Sequence, residues 1–118
     1  MKQFDVTTEQ LGEIAIVRLK GELDASTSPV ADTAMSEALK STSKAVLIDC
    51  SALTYISSAG LGAVLSTYHD CNHRSVQLFL YGLQPKIKSV LNILGLEKVI
   101  PIATTEKEAL YAVNGKAL

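Results

Sequence analysis

The chain's apolar positions fall into short runs whose period switches between two and about three and a half. Phe4, Val6 and Thr8 alternate with polar neighbours, which predicts an edge strand. Gln10 to Gly12 supplies a turn. Ile14 to Leu19 is nearly all apolar, as in a strand covered on both faces, and Gly21-Glu22-Leu23-Asp24 leads away from it. Ser28-Pro29 predicts a helix start, with Ser28 as N-cap and Pro29 at the first helical position. Val30, Ala34, Ala38 and Leu39 would be that helix's inner face. Ala45 to Ile48 has the look of a central parallel strand, ended by Asp49-Cys50-Ser51. Leu61, Val64, Leu65 and Tyr68 form a helical stripe. Val76, Leu78 and Leu80 share one side of the next strand, with Phe79 and Tyr81 on the other. Pro85 opens a further helix carrying Ile87, Val90, Leu91 and Leu94, and Gly95 stops it. Val99, Ile100 and Ile102 predict a last short strand. Thr105 with Glu108 forms a capping box for a final helix.

Strands alternating with helices predict one α/β domain over residues 1–118. Its sheet should be mixed and mostly parallel, with four or five strands, an antiparallel hairpin at the start and helices packed mainly on one face. Leu47, Ile48, Val64, Leu65, Leu78, Val90 and Leu91 are the expected core. The 118-residue length suits a single domain. Aromatic residues make up only 5% of the chain and Trp is absent, so the core must be aliphatic.

A formal net charge of -1 without a basic block excludes the usual footprint of a nucleic-acid binder. The apolar runs are too short to span a bilayer, and Met1 to Asp5 has no signal-peptide core. A cytoplasmic protein is expected, with Cys50 and Cys71 as free thiols and no cofactor.

Candidate chemistry concentrates in Ser57-Ser58-Ala59-Gly60-Leu61-Gly62, where a loop becomes a helix. Free N–H groups and the macrodipole favour negative charge at such a place. A serine here can cap the helix, or carry a phosphate that the helix end tolerates. Gly60 and Gly62 leave the first turn bare, open to a partner's approach. Each costs helix stability of roughly 1 kcal/mol against Ala. The residues alone favour the plainer reading, a cap followed by two packing glycines.

Three stretches together resemble an anti-sigma factor antagonist of the STAS family. They are Gly21-Glu22-Leu23-Asp24; Val46-Leu47-Ile48-Asp49 running into Tyr55-Ile56-Ser57-Ser58-Ala59-Gly60-Leu61-Gly62; and Pro85 with Leu94-Gly95-Leu96 and Glu108-Ala109-Leu110. The resemblance spans nearly the whole chain. It implies a STAS-like fold and Ser58 as phosphoacceptor, with Ser57, Ala59, Gly60, Leu61, Gly62 and Asp24 on the partner-binding surface. It also implies two partners: a serine kinase of the histidine-kinase-like ATPase fold, often itself the anti-sigma factor, and a metal-dependent serine phosphatase. Family members often carry Asp before the phosphoacceptor; here Ser57 stands there. The unmodified protein would bind the anti-sigma factor and free a sigma factor or equivalent target. The same fold also serves as an unphosphorylated docking subunit of a transport ATPase or a signalling scaffold, which is the alternative.

Enzymatic readings fit poorly. Gly60-Leu61-Gly62 lacks the third glycine of a dinucleotide fingerprint, which would fall at Leu65, and there is no P-loop lysine. Ile56 stands where a nucleophile elbow needs glycine. His69 and His73, at i and i+4 with Cys71 between them, read as a polar helix end rather than a metal site.

Overall fold

A computed structural model describes residues 4–115. Five strands lie in the order β1-β2-β3-β4-β5: β1 (Phe4–Leu11), β2 (Ile14–Leu23), β3 (Ala45–Ile56), β4 (Gln77–Tyr81) and β5 (Ile102–Ala103). The β1–β2 hairpin is antiparallel, closed by Gly12-Glu13 with Gly12 at φ +60°; every other pairing is parallel. The helices are α1 (Ser28–Lys40), α2 (Ser58–His73), α3 (Pro85–Ile93) and α4 (Glu106–Val113). A sheet that grows in one direction through right-handed crossovers places every crossover helix on the same face. Accordingly, residues of α1, α2 and α3 join the larger apolar cluster, with Val17, Leu19, Val46, Ile48, Leu78 and Leu80 beneath them. α4 follows the last strand and covers the other face, where Ala109 and Val113 meet Ile16, Leu47, Phe79 and Tyr81.

This is the expected mixed sheet with helices mainly on one face. Five of the seven expected core residues are buried; Leu65 and Val90 sit half-buried at its margin. The inner face of α1 is Ala31, Met35, Ala38 and Leu39; the expected Ala38 and Leu39 are buried and Ala34 packs at the margin of the core, but Val30 is 53% exposed, and Ala31 and Met35 take the inner positions. The buried set keeps i, i+4, i+7, i+8 spacing and lets the long, flexible Met35 fill the core. Thr27, not Ser28, caps α1, and makes no capping bond to the helix with its side chain. Its hydroxyl is turned to the Glu22 carbonyl, at 2.8 Å. β3 does not end at Asp49-Cys50-Ser51 but runs on to Ile56, because β2 continues beside it to Leu23. The last strand shrinks to Ile102–Ala103; Val99 is exposed, and Ile100 is buried just ahead of the strand. Thr105 caps α4 as expected by accepting from the Glu108 amide at 3.1 Å, but the reciprocal half of the capping box is displaced by one residue, the Glu108 carboxylate accepting from the Thr104 amide at 3.0 Å; Gly95 at φ +73° stops α3 as expected.

Candidate functional site

β4 pairs with β3 only as far as Asp49↔Tyr81, while β2 and β3 stay paired to Leu23↔Ile56. The β2–β3 ribbon therefore projects beyond the rest of the sheet, and its two exits emerge side by side. Gly21, at φ +102°, lies at an irregularity in this ribbon, a conformation that favours glycine.

The first exit is organised by Asp24, which is 6% exposed. Its Oδ1 accepts from the Ser26 amide at 2.9 Å, the Ser26 hydroxyl at 2.7 Å and the Thr27 amide at 3.2 Å. Its carbonyl accepts from the Ser28 amide at 2.8 Å and hydroxyl at 2.6 Å. Asp24 thus shapes the turn that begins α1, which is why its carboxylate can be buried.

The second exit is tied to the first. The Ser57 amide donates to the Leu23 carbonyl at 2.9 Å. Ser57 is the N-cap of α2, its Oγ accepting from the Gly60 amide at 3.3 Å. The capping role considered for Ser58 therefore belongs to its neighbour. Ser58 is the first helical residue, and its side chain is exposed.

The two glycines of this turn have different reasons. A Cβ on Gly60 would lie 2.7 Å from the Leu23 carbonyl oxygen and 2.9 Å from Leu23 Cγ. Gly60 is glycine so that α2 can press against the end of β2. A Cβ on Gly62 would meet nothing within 4 Å, so this glycine simply keeps an exposed surface bare. Leu61 is half-buried and packs on the core; Ser58, Ala59 and Gly62 face outward. Asp24, Ala25, Ser26, Ser57, Ser58 and Ala59 line one shallow, open depression. No Lys or Arg is among them. Ala25 and Ser26 escaped the sequence reading, since nothing in a loop of small residues signals a surface.

The STAS domain model matches residues 5–109. An anti-sigma F factor antagonist from Paenibacillus polymyxa is 32% identical over 98 residues, covering 82% of this chain and 84% of that protein. The chain belongs to the STAS domain family, among the anti-sigma factor antagonists. An anti-sigma factor antagonist structure from Mycobacterium paratuberculosis matches this STAS domain with a TM-score of 0.86 at 25% identity, covering 95% of each chain. The anti-sigma factor antagonist SpoIIAA in its unphosphorylated form matches at 0.79 and 23% identity, covering 97% of this chain and all of that one.

A second polar cluster of the STAS domain lies on the α4 face, and sequence reading missed it. Arg18 on β2 reaches Glu9 at 2.7 Å, Asp49 at 2.8 Å and Glu106 at 3.1 Å, plus the Tyr81 hydroxyl at 3.1 Å. Tyr81 in turn donates to Glu106 at 2.8 Å. The bonds that Arg18 donates to Glu9, Asp49 and Glu106 outweigh partial burial and raise its pKa further, so it stays charged. Burial pushes the Asp49 carboxyl up, but bonds from the Ser51 hydroxyl and amide and from Arg18 prevail and hold it below the usual value. Burial pushes the Cys50 thiol up to about 12 and the Cys71 thiol up to about 11, which leaves both protonated and inert near neutral pH. His69 and His73 are exposed on α2 while Cys71 is fully buried, so the three do not converge. No helix among the described residues is long and apolar enough to cross a membrane.

Proposed function

We propose that this STAS domain is a cytoplasmic partner switch controlled by phosphorylation of Ser58. Unmodified, it binds an anti-sigma factor and so releases a sigma factor or an equivalent target. The anti-sigma factor, a serine kinase of the histidine-kinase-like ATPase fold, phosphorylates Ser58, and a metal-dependent serine phosphatase restores the binding form. The chain itself turns nothing over: it is the substrate of the two enzymes.

One observation carries this reading. Ser58 is an exposed hydroxyl at the first position of α2, in a depression whose described lining has no cationic side chain. A phosphate adds about −1.5 to −2 charges and three acceptor oxygens. The helix N-terminus accommodates that charge without unfolding. Because Ser57 makes the capping bond, modification of Ser58 leaves the cap intact. The new charge is instead left on the surface, where a partner must desolvate it to bind, which is costly for an unpaired phosphate. SpoIIAA, whose fold this chain shares, has structures in unphosphorylated and phosphorylated forms, a precedent for such a cycle on this fold.

The test is calorimetry of wild type, Ser58→Ala and Ser58→Asp against the purified anti-sigma factor that the wild-type chain retains. Ser58→Ala should bind like wild type. Ser58→Asp should lose affinity by up to a few kcal/mol if the site is fully desolvated, with an unchanged fold by circular dichroism. Equal binding by all three would refute the switch and favour an unphosphorylated docking subunit.

A further inference from the structure

The depression around Ser58 has a neighbour. Ala25 lines both; the second is lined by Ala25, Ser28, Pro29, Asp32 and Ala63. Small side chains therefore carry one surface across the starts of α1 and α2. The outward carboxylate on it is Asp32, which is exposed. It lies beyond the first turn of α1, where a carboxylate serves the helix dipole. Among the described residues nothing hydrogen-bonds or ion-pairs with it. The carboxylates around Arg18, by contrast, are all engaged.

We infer that this second depression is part of the same docking surface, and that Asp32 takes an Arg or Lys side chain of the anti-sigma factor. The inference rests on the Ser58 reading above, because the two depressions adjoin through the shared lining residue Ala25. The chemistry divides between them. A partner that loses affinity when Ser58 gains a phosphate must meet Ser58 with neutral or anionic groups, since a cation there would be rewarded by the phosphate. The attraction that steers and orients such a partner then has to lie elsewhere on the surface, and Asp32 is the charged group available beside it. Its role is a specificity contact: it selects partners with a cation placed beside, not at, the serine. The residues lining the depression around the exposed Asp32 are small, which leaves it open to such a side chain.

The experiment measures binding of the same purified anti-sigma factor to wild type, Asp32→Asn, Asp32→Lys, Asp70→Lys and Ser58→Asp, at about 0.05 M and about 0.5 M salt. Asp70, exposed in the later turns of α2 and outside both depressions, controls for a change in overall charge. Asp32→Lys should weaken binding roughly tenfold or more at low salt, and Asp32→Asn by a smaller factor, with both losses shrinking as salt screens the pair. Asp70→Lys should have much less effect. Wild-type affinity of Asp32→Lys, with Ser58→Asp still defective, would overturn the Asp32 contact and leave the switch standing. Equal losses in Asp32→Lys and Asp70→Lys would also overturn it, showing general charge steering. Binding unaffected by either Ser58→Asp or Asp32→Lys would remove the surface and the inference together.

Discussion

Asp24, in the turn just after β2, and Asp49, on β3, are both buried carboxylates, and the polar groups gathered near each behave in opposite ways. Around Asp49 the charges face one another: Arg18 is held by three carboxylates contributed by β1, β3 and α4. The depression that Asp24 shares with Ser58 is lined instead by hydroxyls, alanines and backbone, with no cationic side chain among the described lining. The first cluster is electrostatically closed and ties elements together. The second is open, and a charge added to it is neutralised by nothing within its lining. The difference shows why a phosphate at Ser58 would be felt by a partner rather than absorbed by the domain.

The largest expected effect sharpens the open end. Gly60→Ala drives a Cβ into the Leu23 carbonyl, a backbone atom that cannot swing aside, and should destabilise the fold by about 2–3 kcal/mol. Gly62→Ala meets nothing within 4 Å and should be neutral or stabilising by up to about 1 kcal/mol. Urea midpoints of the two variants check the contrast. Similar losses in both would mean that the turn is glycine-rich for one common reason.

At the closed end, Arg18→Ala strands the mostly buried Asp49 and loosens Glu106 at the start of α4. The Arg18 side chain is 36% exposed, so the buried-pair figure must be discounted for solvent, to about 1–2 kcal/mol. Thermal or urea unfolding measures it. A variant as stable as wild type would show the cluster to be surface decoration.

Between the two serines the expected difference is smaller. Ser57→Ala removes the cap of α2 and should cost about 1 kcal/mol, while Ser58→Ala should leave stability within about 0.5 kcal/mol. Reversed values from chemical denaturation would return the cap to Ser58.

The pH dependence is the subtlest test. Asp49 has a folded pKa below its unfolded one. Its contribution is therefore complete above the unfolded value, near 3.9, and is lost as the pH falls through the lower folded value. Asp49→Asn should flatten this part of the acid-stability curve. An unchanged acid limb in that variant would assign acid lability to other groups.

Most of the architecture was legible because period and punctuation agreed. The two-sided apolar run of β2, the opposed faces of β4 and the Thr105 cap all appear as the pattern implies. Misreadings came where tertiary pairing overrides local pattern. Asp49-Cys50-Ser51 looks like a strand end, yet β2 carries β3 on to Ile56. Val30 looks like a core residue, but Met35, four positions from Ala31, has the reach to fill the core instead. At the site, the motif located Ser58 correctly on a helix start. Adjacent identical residues could not disclose which serine caps, since that depends on where Leu23 grips the chain. The Arg18 cluster left no trace in sequence, because Asp49 and Glu106 lie 31 and 88 positions from Arg18 and only the sheet and α4 bring them together.

Intact-mass analysis after incubation with the anti-sigma kinase and Mg-ATP tests the central claim most directly. The account predicts one added phosphate on wild type and on Ser57→Ala, and none on Ser58→Ala. A phosphate that persists on Ser58→Ala and disappears from Ser57→Ala would contradict it.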